Sequence, residues 1–199
     1  LAFALPQMLP AQTYPNKPIR VVIPYAAGGG GDIVGRTIGA KLSEAWGQQI
    51  LIDNKPGAGG NIGTEFVAKS APDGYTLLLG TDIQMAINPH VYKSLPFNPD
   101  RDFAFVVQAA FIEFVLSVHP SIPANNLTEL IAHLKANPGK YSYGSSGYGS
   151  THHLSMELLK SRAGIDMVHV PYKGSGQMLP DLISGQVQLS TAGMEASGT

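Results

Sequence analysis

Ile19-Arg20-Val21-Val22-Ile23-Pro24-Tyr25-Ala26-Ala27-Gly28-Gly29-Gly30-Gly31-Asp32 decides the reading of this chain. The β-branched apolar run at its start predicts a strand buried on both faces. Four consecutive glycines break it, and a helix opens with Asp32 as a candidate cap. Such a loop brings bare backbone N–H groups to a helix N-terminus, where an anion can be held without a basic side chain. A second loop of the same kind, Tyr143-Gly144-Ser145-Ser146-Gly147-Tyr148-Gly149-Ser150-Thr151, again sits between an expected strand and an expected helix. Two such loops far apart in the chain predict two half-sites facing one ligand.

Outward from these loops, strands and helices alternate. Val34, Ile38, Leu42 and Ala45 form a stripe at helical spacing, ended by Gly47. Residues 50–52 read as a second strand, closed by the turn signal Asp53-Asn54-Lys55-Pro56-Gly57. Ala58-Gly59-Gly60-Asn61 leads into a short helix, and residues 75–79 read as a third strand. This βαβαβ order predicts a parallel sheet with right-handed crossovers. Residues 103–108 and 111–118 read as two further strands, and His119-Pro120-Ser121-Ile122-Pro123 marks a boundary. A helix follows with Asn126 as cap and Glu129 three residues on, a variant of the capping box. Its expected stripe is Leu127, Leu130, Ile131 and Leu134. Beyond it come a strand at 141–143, a helix at 150–162 burying Leu154, Leu158 and Leu159, a strand at 167–170, a helix at 177–184 and a strand at 186–190. The chain thus divides into an α/β lobe over residues 14–118 and a second over 119–199. Residues 1–13 read as a signal-peptide remnant, with a small-residue cleavage zone near Ala11.

Composition narrows the partners. Of 199 residues, 44% are hydrophobic and 14% charged, which favours a packed globule over a disordered chain. With a formal net charge of -1 no basic face is expected to dominate, which argues against nucleic acid or an anionic membrane as the main partner. Zero cysteines remove disulfides, thiolate metal sites and cysteine nucleophiles. No apolar run approaches the ~20 residues of a bilayer span.

Rival chemistries read less well. A dinucleotide site would use Asp53 at the end of the second strand, but Ile33 stands where the third glycine of G-x-G-x-x-G belongs, and no Lys follows the loop. Ser145, Ser146, His152 and His153 lie close in sequence without a G-x-S-x-G elbow. His152 and His153 diverge on a helix, one toward solvent and one toward the cleft rim, so they make a poor metal pair. His90, His119, His133 and His169 are scattered and read as surface or packing residues. Trp46 reads as core or boundary packing. No metal, cofactor or catalytic residue is expected.

Six stretches in order carry a family resemblance. They are Tyr14-Pro15-Asn16-Lys17-Pro18-Ile19-Arg20, the glycine loop ending in Asp32, Asn54-Lys55-Pro56-Gly57-Ala58-Gly59-Gly60-Asn61-Ile62-Gly63, Pro72-Asp73-Gly74-Tyr75-Thr76-Leu77-Leu78, Tyr143-Gly144-Ser145-Ser146-Gly147, and His169-Val170-Pro171-Tyr172-Lys173-Gly174. The chain resembles the extracytoplasmic solute receptors of tripartite tricarboxylate transporters, the Bug receptors. The resemblance implies a two-lobed periplasmic binding protein of the type II, Venus-flytrap-like kind, each lobe a sheet flanked by helices. Family members continue further at the C-terminus, so both lobes are expected to be incomplete here. Two departures stand out: Ala27 and Gly31 replace residues common in the family loop, and Ser190-Thr191-Ala192-Gly193 replaces a Phe-Asp segment.

The resemblance also implies a role: a periplasmic receptor, not an enzyme, that captures a small organic acid and presents it to membrane permease subunits. In a doubly wound sheet, ligands bind beyond the carboxyl ends of strands. The expected contacts are Tyr25, Ala27, Gly28, Gly29, Gly30 and Asp32 from the first loop, and Thr81 and Asp82 after the third strand. Ser145, Ser146, Gly147, Tyr148, Gly149, Ser150, Thr151 and Tyr172 complete them. Asp32 is expected chiefly to cap its helix, and Tyr148 to set ligand choice. A Rossmann-like nucleotide-binding enzyme is the alternative.

Overall fold

A computed structural model describes residues 14–193; the expected signal remnant at 1–13 lies outside the described residues. Strand β1 (Ile19–Ile23) forms as the β-branched run predicts, with Ile19, Val22 and Ile23 fully buried. It is the centre of a parallel sheet ordered β2-β1-β3, between β2 (Ile50–Asn54) and β3 (Thr76–Leu78). Val21 stands opposite both Ile52 and Leu77.

Helix α1 (Gly30–Trp46) follows the first glycine loop and ends at Gly47, whose left-handed φ of 63° lets its N–H reach the Ser43 carbonyl. Its buried seam is Gly30, Asp32, Gly35 and Gly39, not the expected stripe of Val34, Ile38, Leu42 and Ala45. A methyl on Gly35 would lie 2.7 Å from Ile23 Cδ1, so glycine lets the helix axis settle close to β1 and moves the expected apolar residues to its flanks. Trp46, expected in packing, is 42% exposed. After a left-handed turn at Ala58–Gly60 come α2 (Asn61–Ala68), a π-helical turn over Ile83–Ile87 and the short α3 (Asn88–Val91).

Residues 103–113 form no strand, against expectation. Phe105, Val106, Val107 and Phe111 are 74–83% exposed. A strand needs a ladder for its backbone groups, and no strand among the described residues lies alongside this segment. The ladder begins only at β4 (Phe114–Val118), which pairs antiparallel with β7 (Leu189–Gly193), Phe114 opposite Gly193. The sequence places residues 111–118 in the first lobe; the hydrogen bonds of β4 join it to the second sheet.

That second sheet is ordered β4-β7-β5-β6, with β5 (Ser142–Ser145) parallel to both β7 and β6 (Val168–Pro171). Helix α4 (Leu127–Ala136) starts at Asn126, whose side chain accepts the Glu129 N–H at 3.0 Å. Glu129 in return takes the Asn126 side-chain amide and the Asn125 N–H, a capping box displaced by one residue. Helix α5 (Thr151–Ala163) buries His152 and Met156, while Leu154 and Leu158, expected inside, are 42% and 57% exposed. Positions 152, 156, 159 and 163 form the face toward the sheet, one helical step from the predicted one. The core gathers Ile122, Leu130, Leu134, Tyr143, Met156, Ile165, Met167 and Leu189. Helix α6 (Ser175–Ile183) closes the lobe.

Candidate functional site

A cavity of about 230 Å³ lies where the strand-end loops of the two sheets meet. From the first lobe it is lined by Tyr25, Gly57, Ala58, Gly59, Gly60 and Tyr92; from the second by Ser146, Gly147, Tyr148, Pro171, Tyr172 and Lys173. Apart from Tyr92, which follows α3, these residues lie at or just beyond the carboxyl ends of parallel strands, the position where ligands bind in such sheets.

Two contacts between the lobes flank it. On one side Ala26 N–H donates to the Lys173 carbonyl at 3.3 Å, and the backbones of Ala27–Gly28 and Gly176 touch. A methyl on Gly176 would sit 1.9 Å from the Ala27 oxygen, and one on Gly174 2.9 Å from the Ala26 nitrogen. On the other side a methyl on Gly149 would lie 3.1 Å from Val91 Cγ1, and one on Gly59 3.5 Å from the Tyr148 carbonyl oxygen. Glycine at these places lets one lobe reach the other.

The first glycine loop therefore has a different task from the one its sequence predicts. Ala27, Gly28, Gly29 and Gly30 do not line the cavity. Ala27, Gly28 and Gly29 abut Ser175 and Gly176 at the start of α6, where the pyrophosphate of a dinucleotide would have to sit, which argues against the dinucleotide reading. Asp53, the ribose-binding candidate of that reading, faces Lys55 and Arg20 at 3.4 and 3.9 Å. Asp32 is not the helix cap: Gly29 holds that position, and Asp32, in the first turn, reaches back to the Gly28 N–H at 3.0 Å. It also accepts from Arg36 Nε at 2.9 Å. Burial opposes its charge, but Arg36 and the Gly28 amide hold its carboxyl below the ordinary range. That negative charge sits where the positive ends of α1 and α6 face each other.

The first-lobe wall comes instead from the loop after β2. Gly57, Ala58, Gly59 and Gly60 all have positive φ, at 126°, 49°, 64° and 89°. In sequence this string reads as a turn; a Pro-Gly followed by two more glycines directly after a strand was the available signal. Buried amides hold the loop. The Gly59 carbonyl accepts from Gln84 Nε2 at 3.0 Å and from Asn88 Nδ2 at 3.1 Å. Gln84 also donates to the Tyr25 hydroxyl at 2.6 Å. Tyr25 lies 3.2 Å from Thr81 Oγ1, which donates back to Gln84 Oε1 at 3.3 Å, closing a ring of three side chains. Burial pushes the Tyr25 phenol up to about 12, so it stays neutral. Thr81 thus stands one bond behind the wall, and Asp82 is exposed and not part of the lining.

In the second lobe Ser146, Gly147, Tyr148 and Tyr172 line the cavity. Ser145, Gly149 and Ser150 stand behind them, and Thr151 opens α5 outside the lining. Ser150 caps α5 by accepting the His153 N–H at 3.2 Å. Ser145 Oγ accepts the Gly147 N–H and lies 2.7 Å from His169 Nε2. Ser146 Oγ lies 2.8 Å from His152 Nδ1, and the Gly149 N–H donates to His153 Nδ1. His152 and His153, expected to diverge toward solvent and the cleft rim, and His169, expected at the surface or in packing, hold the loop between them. Burial drives His152 and His169 down to about 4, and lowers His153. Tyr172 donates to Asp181 at 2.6 Å; burial and that carboxylate raise its phenol to about 12.

Among the described residues the lining carries no acidic side chain and one basic residue, Lys173. Among the described residues no acceptor takes the backbone N–H of Ala58, Gly59, Ser146 or Tyr148, two donors from each lobe. This is a cavity of neutral donors with a small positive bias.

A family model described as the tripartite tricarboxylate transporter family receptor matches residues 34–197. The chain belongs to this family. Among curated relatives of these receptors, a UPF0065 protein of Bordetella pertussis is 42% identical over 180 residues, covering 90% of this chain and 55% of its own length. Protein BugT of the same organism is 37% identical over 187 residues, covering 94% of this chain and 57% of its own. The chain spans about half the length of the curated relatives it matches. Of solved structures, a periplasmic transporter superimposes with a TM-score of 0.86 at 43% identity, over 93% of this chain and 62% of its own. The R. palustris protein Rpa4515, solved with adipate, gives 0.90 at 40%, with coverage of 93% and 62%. MatC from Rhodopseudomonas palustris, solved with bound malate, gives 0.85 at 30%, over 92% and 63%. The receptor fold of two helix-flanked α/β sheets is thus shared with these proteins.

Proposed function

We propose that the full-length protein is an extracytoplasmic solute receptor that captures a small carboxylate between its lobes and presents it to the permease subunits of a tripartite tricarboxylate-type transporter. The observation that carries this reading is the pair of amides from each lobe that find no acceptor among the described residues, around a cavity those residues line without an acidic side chain. Such donors hold a carboxylate without a fixed counter-charge, and water can complete the contacts. Family membership and the adipate and malate of the solved neighbours support the ligand class. The permease partnership follows the family description. Holding a ligand from both sides couples its binding to the closed arrangement, which is the shape a membrane partner reads.

The role is binding without a catalytic step. Ser146 and His152 are within hydrogen-bond reach, but no carboxylate among the described residues orients His152, which packs edge-on against Phe114.

Thermal unfolding of the full-length protein with mono-, di- and tricarboxylates tests the reading. A ligand that binds only the folded form raises the melting temperature, and the more so the larger its excess over Kd. At least one carboxylate is expected to do so, with isothermal titration giving one site per chain. No shift with any acid at millimolar concentration would remove the proposal.

A further inference from the structure

We infer that Tyr92 is a positioning residue for ligand capture: its hydroxyl, from the first lobe, holds the second-lobe loop by donating to the Tyr148 carbonyl when the lobes close. This rests on the receptor reading and deepens it. Of the tyrosines that line the cavity, Tyr25 and Tyr172 have their hydroxyls engaged within their own lobes, by Gln84 and Asp181. The Tyr92 hydroxyl has no hydrogen bond among the described residues, and partial burial raises its phenol, so it stays a neutral donor. Tyr92 stands at the end of α3, which already meets the other lobe, because Val91 is the residue a methyl on Gly149 would touch.

Donor and acceptor face one point. A methyl on Gly59 would lie 2.8 Å from Tyr92 Oη and 3.5 Å from the Tyr148 carbonyl oxygen. The two oxygens, one from each lobe, thus flank a space that glycine leaves open. The Tyr148 carbonyl takes no donor among the described residues. Its direction is set from behind, because the same peptide unit carries the Gly149 N–H, which donates to His153 Nδ1 at 3.1 Å. In a trans peptide the C=O and N–H point opposite ways, so the anchor on α5 turns the carbonyl toward the first lobe. A bond to Tyr92 pins this peptide at both ends. It steadies the adjoining Tyr148 N–H, one of the four amides offered to a carboxylate, without touching the ligand. The rival acceptor for the hydroxyl is the buried Asn88 Oδ1, which also lacks a partner and belongs to the first lobe.

The test is isothermal titration of the full-length protein with succinate, malate, glutarate, adipate and citrate, in wild type, Tyr92→Phe, His153→Phe and the double variant. Tyr92→Phe is expected to weaken every acid that binds by about three- to tenfold, the worth of one neutral hydrogen bond. Its melting temperature without acid should match the wild type. In the His153→Phe background, which keeps a ring but removes the Nδ1 acceptor, the loss should shrink toward none, because a peptide free at its N–H end no longer presents its carbonyl to Tyr92. Equal losses in both backgrounds would put the hydroxyl on the bound acid itself and overturn the inference. So would unchanged affinity in Tyr92→Phe, including unchanged affinity with a lowered melting temperature, the sign of a bond to Asn88. The receptor reading stands through each of these results. Failure of the wild type to bind any of the acids overturns both.

Discussion

The imidazole rings of His153 and His169 stack with centroids 4.2 Å apart and planes 16° from parallel. Tyr148 packs edge-on against both, at 5.7 and 5.0 Å. A residue of the cavity wall thus leans on two titratable rings from different elements, α5 and β6. Tyr143 stacks on the far face of the network at 4.9 Å from His169 and donates to Glu157, which also takes Lys160.

Acid should loosen this arrangement. His153 Nδ1 is an acceptor for the Gly149 N–H, so protonation there breaks a loop bond, and a second proton on His169 sets like charges against each other. His152 and His169 are depressed to about 4, and His153 is also lowered. A base whose folded pKa lies below its unfolded value near 6.5 binds more protons when unfolded between the two values. Its contribution is present in full above about pH 6.5, falls as pH drops, and is gone near pH 4. For the buried His152 alone the loss from pH 7 to 5 is on the order of 1–2 kcal/mol, a drop in melting temperature of roughly 2–8 °C. A scan from pH 7 to 5 checks it, and His152→Gln should flatten the slope. Equal slopes in wild type and variant would count against the account.

The contrast between elements shows what a sequence can carry. Ile19–Ile23 was legible because a β-branched run before a glycine loop specifies a strand by local chemistry alone. Residues 103–113 were misread because alternating apolar residues need a neighbouring strand, which lies beyond any local window. The face of α5 was legible only in part: Leu159 packs against the core, but Leu154 and Leu158 are exposed, because the sheet takes up His152 and Met156 instead. The cleft was half legible. Loops at strand ends were located, and Tyr25, Ser146, Gly147, Tyr148 and Tyr172 do line the cavity. The exchange of roles between the two first-lobe glycine loops was not legible. Glycine permits both an anion cradle and a backbone contact, and only the position of Gly174–Gly176 across the cleft decides between them.

That contact can be tested apart from the ligand. Gly176 lies outside the cavity lining, yet a methyl there would overlap the Ala27 carbonyl of the other lobe. Overpacking costs about 1–3 kcal/mol, and here the cost falls on the closed arrangement. Gly176→Ala is therefore expected to weaken carboxylate binding by about tenfold. Gly31→Ala is the control: nothing but Ile23 Cγ2 comes within 4 Å, at 3.8 Å, and its backbone is helical. It should leave affinity near wild type and add up to ~1 kcal/mol of stability through helix propensity. Titration of both variants decides the matter; equal affinities would mean the lobes close by another contact.

Gln84 offers the last test. It is fully buried and serves four partners: the Tyr25 hydroxyl, the Gly59 carbonyl, and the N–H and hydroxyl of Thr81. Gln84→Leu keeps the volume close but leaves these groups inside without their bonds. Stranded polar groups cost about 1–3 kcal/mol each when no water reaches them, so a total loss of roughly 2–4 kcal/mol is expected in urea unfolding. Tyr25→Phe removes a single hydroxyl from the same ring and should cost about 1 kcal/mol. The two variants should part further in binding. Gln84→Leu frees the Gly59 carbonyl from one of its two side-chain anchors and disturbs the amide geometry of the wall, whereas Tyr25→Phe leaves both anchors standing. Carboxylate affinity should therefore fall more in Gln84→Leu than in Tyr25→Phe. The reverse order would make the Tyr25 hydroxyl, rather than the Gly57–Gly60 loop, the first lobe's contact with the ligand.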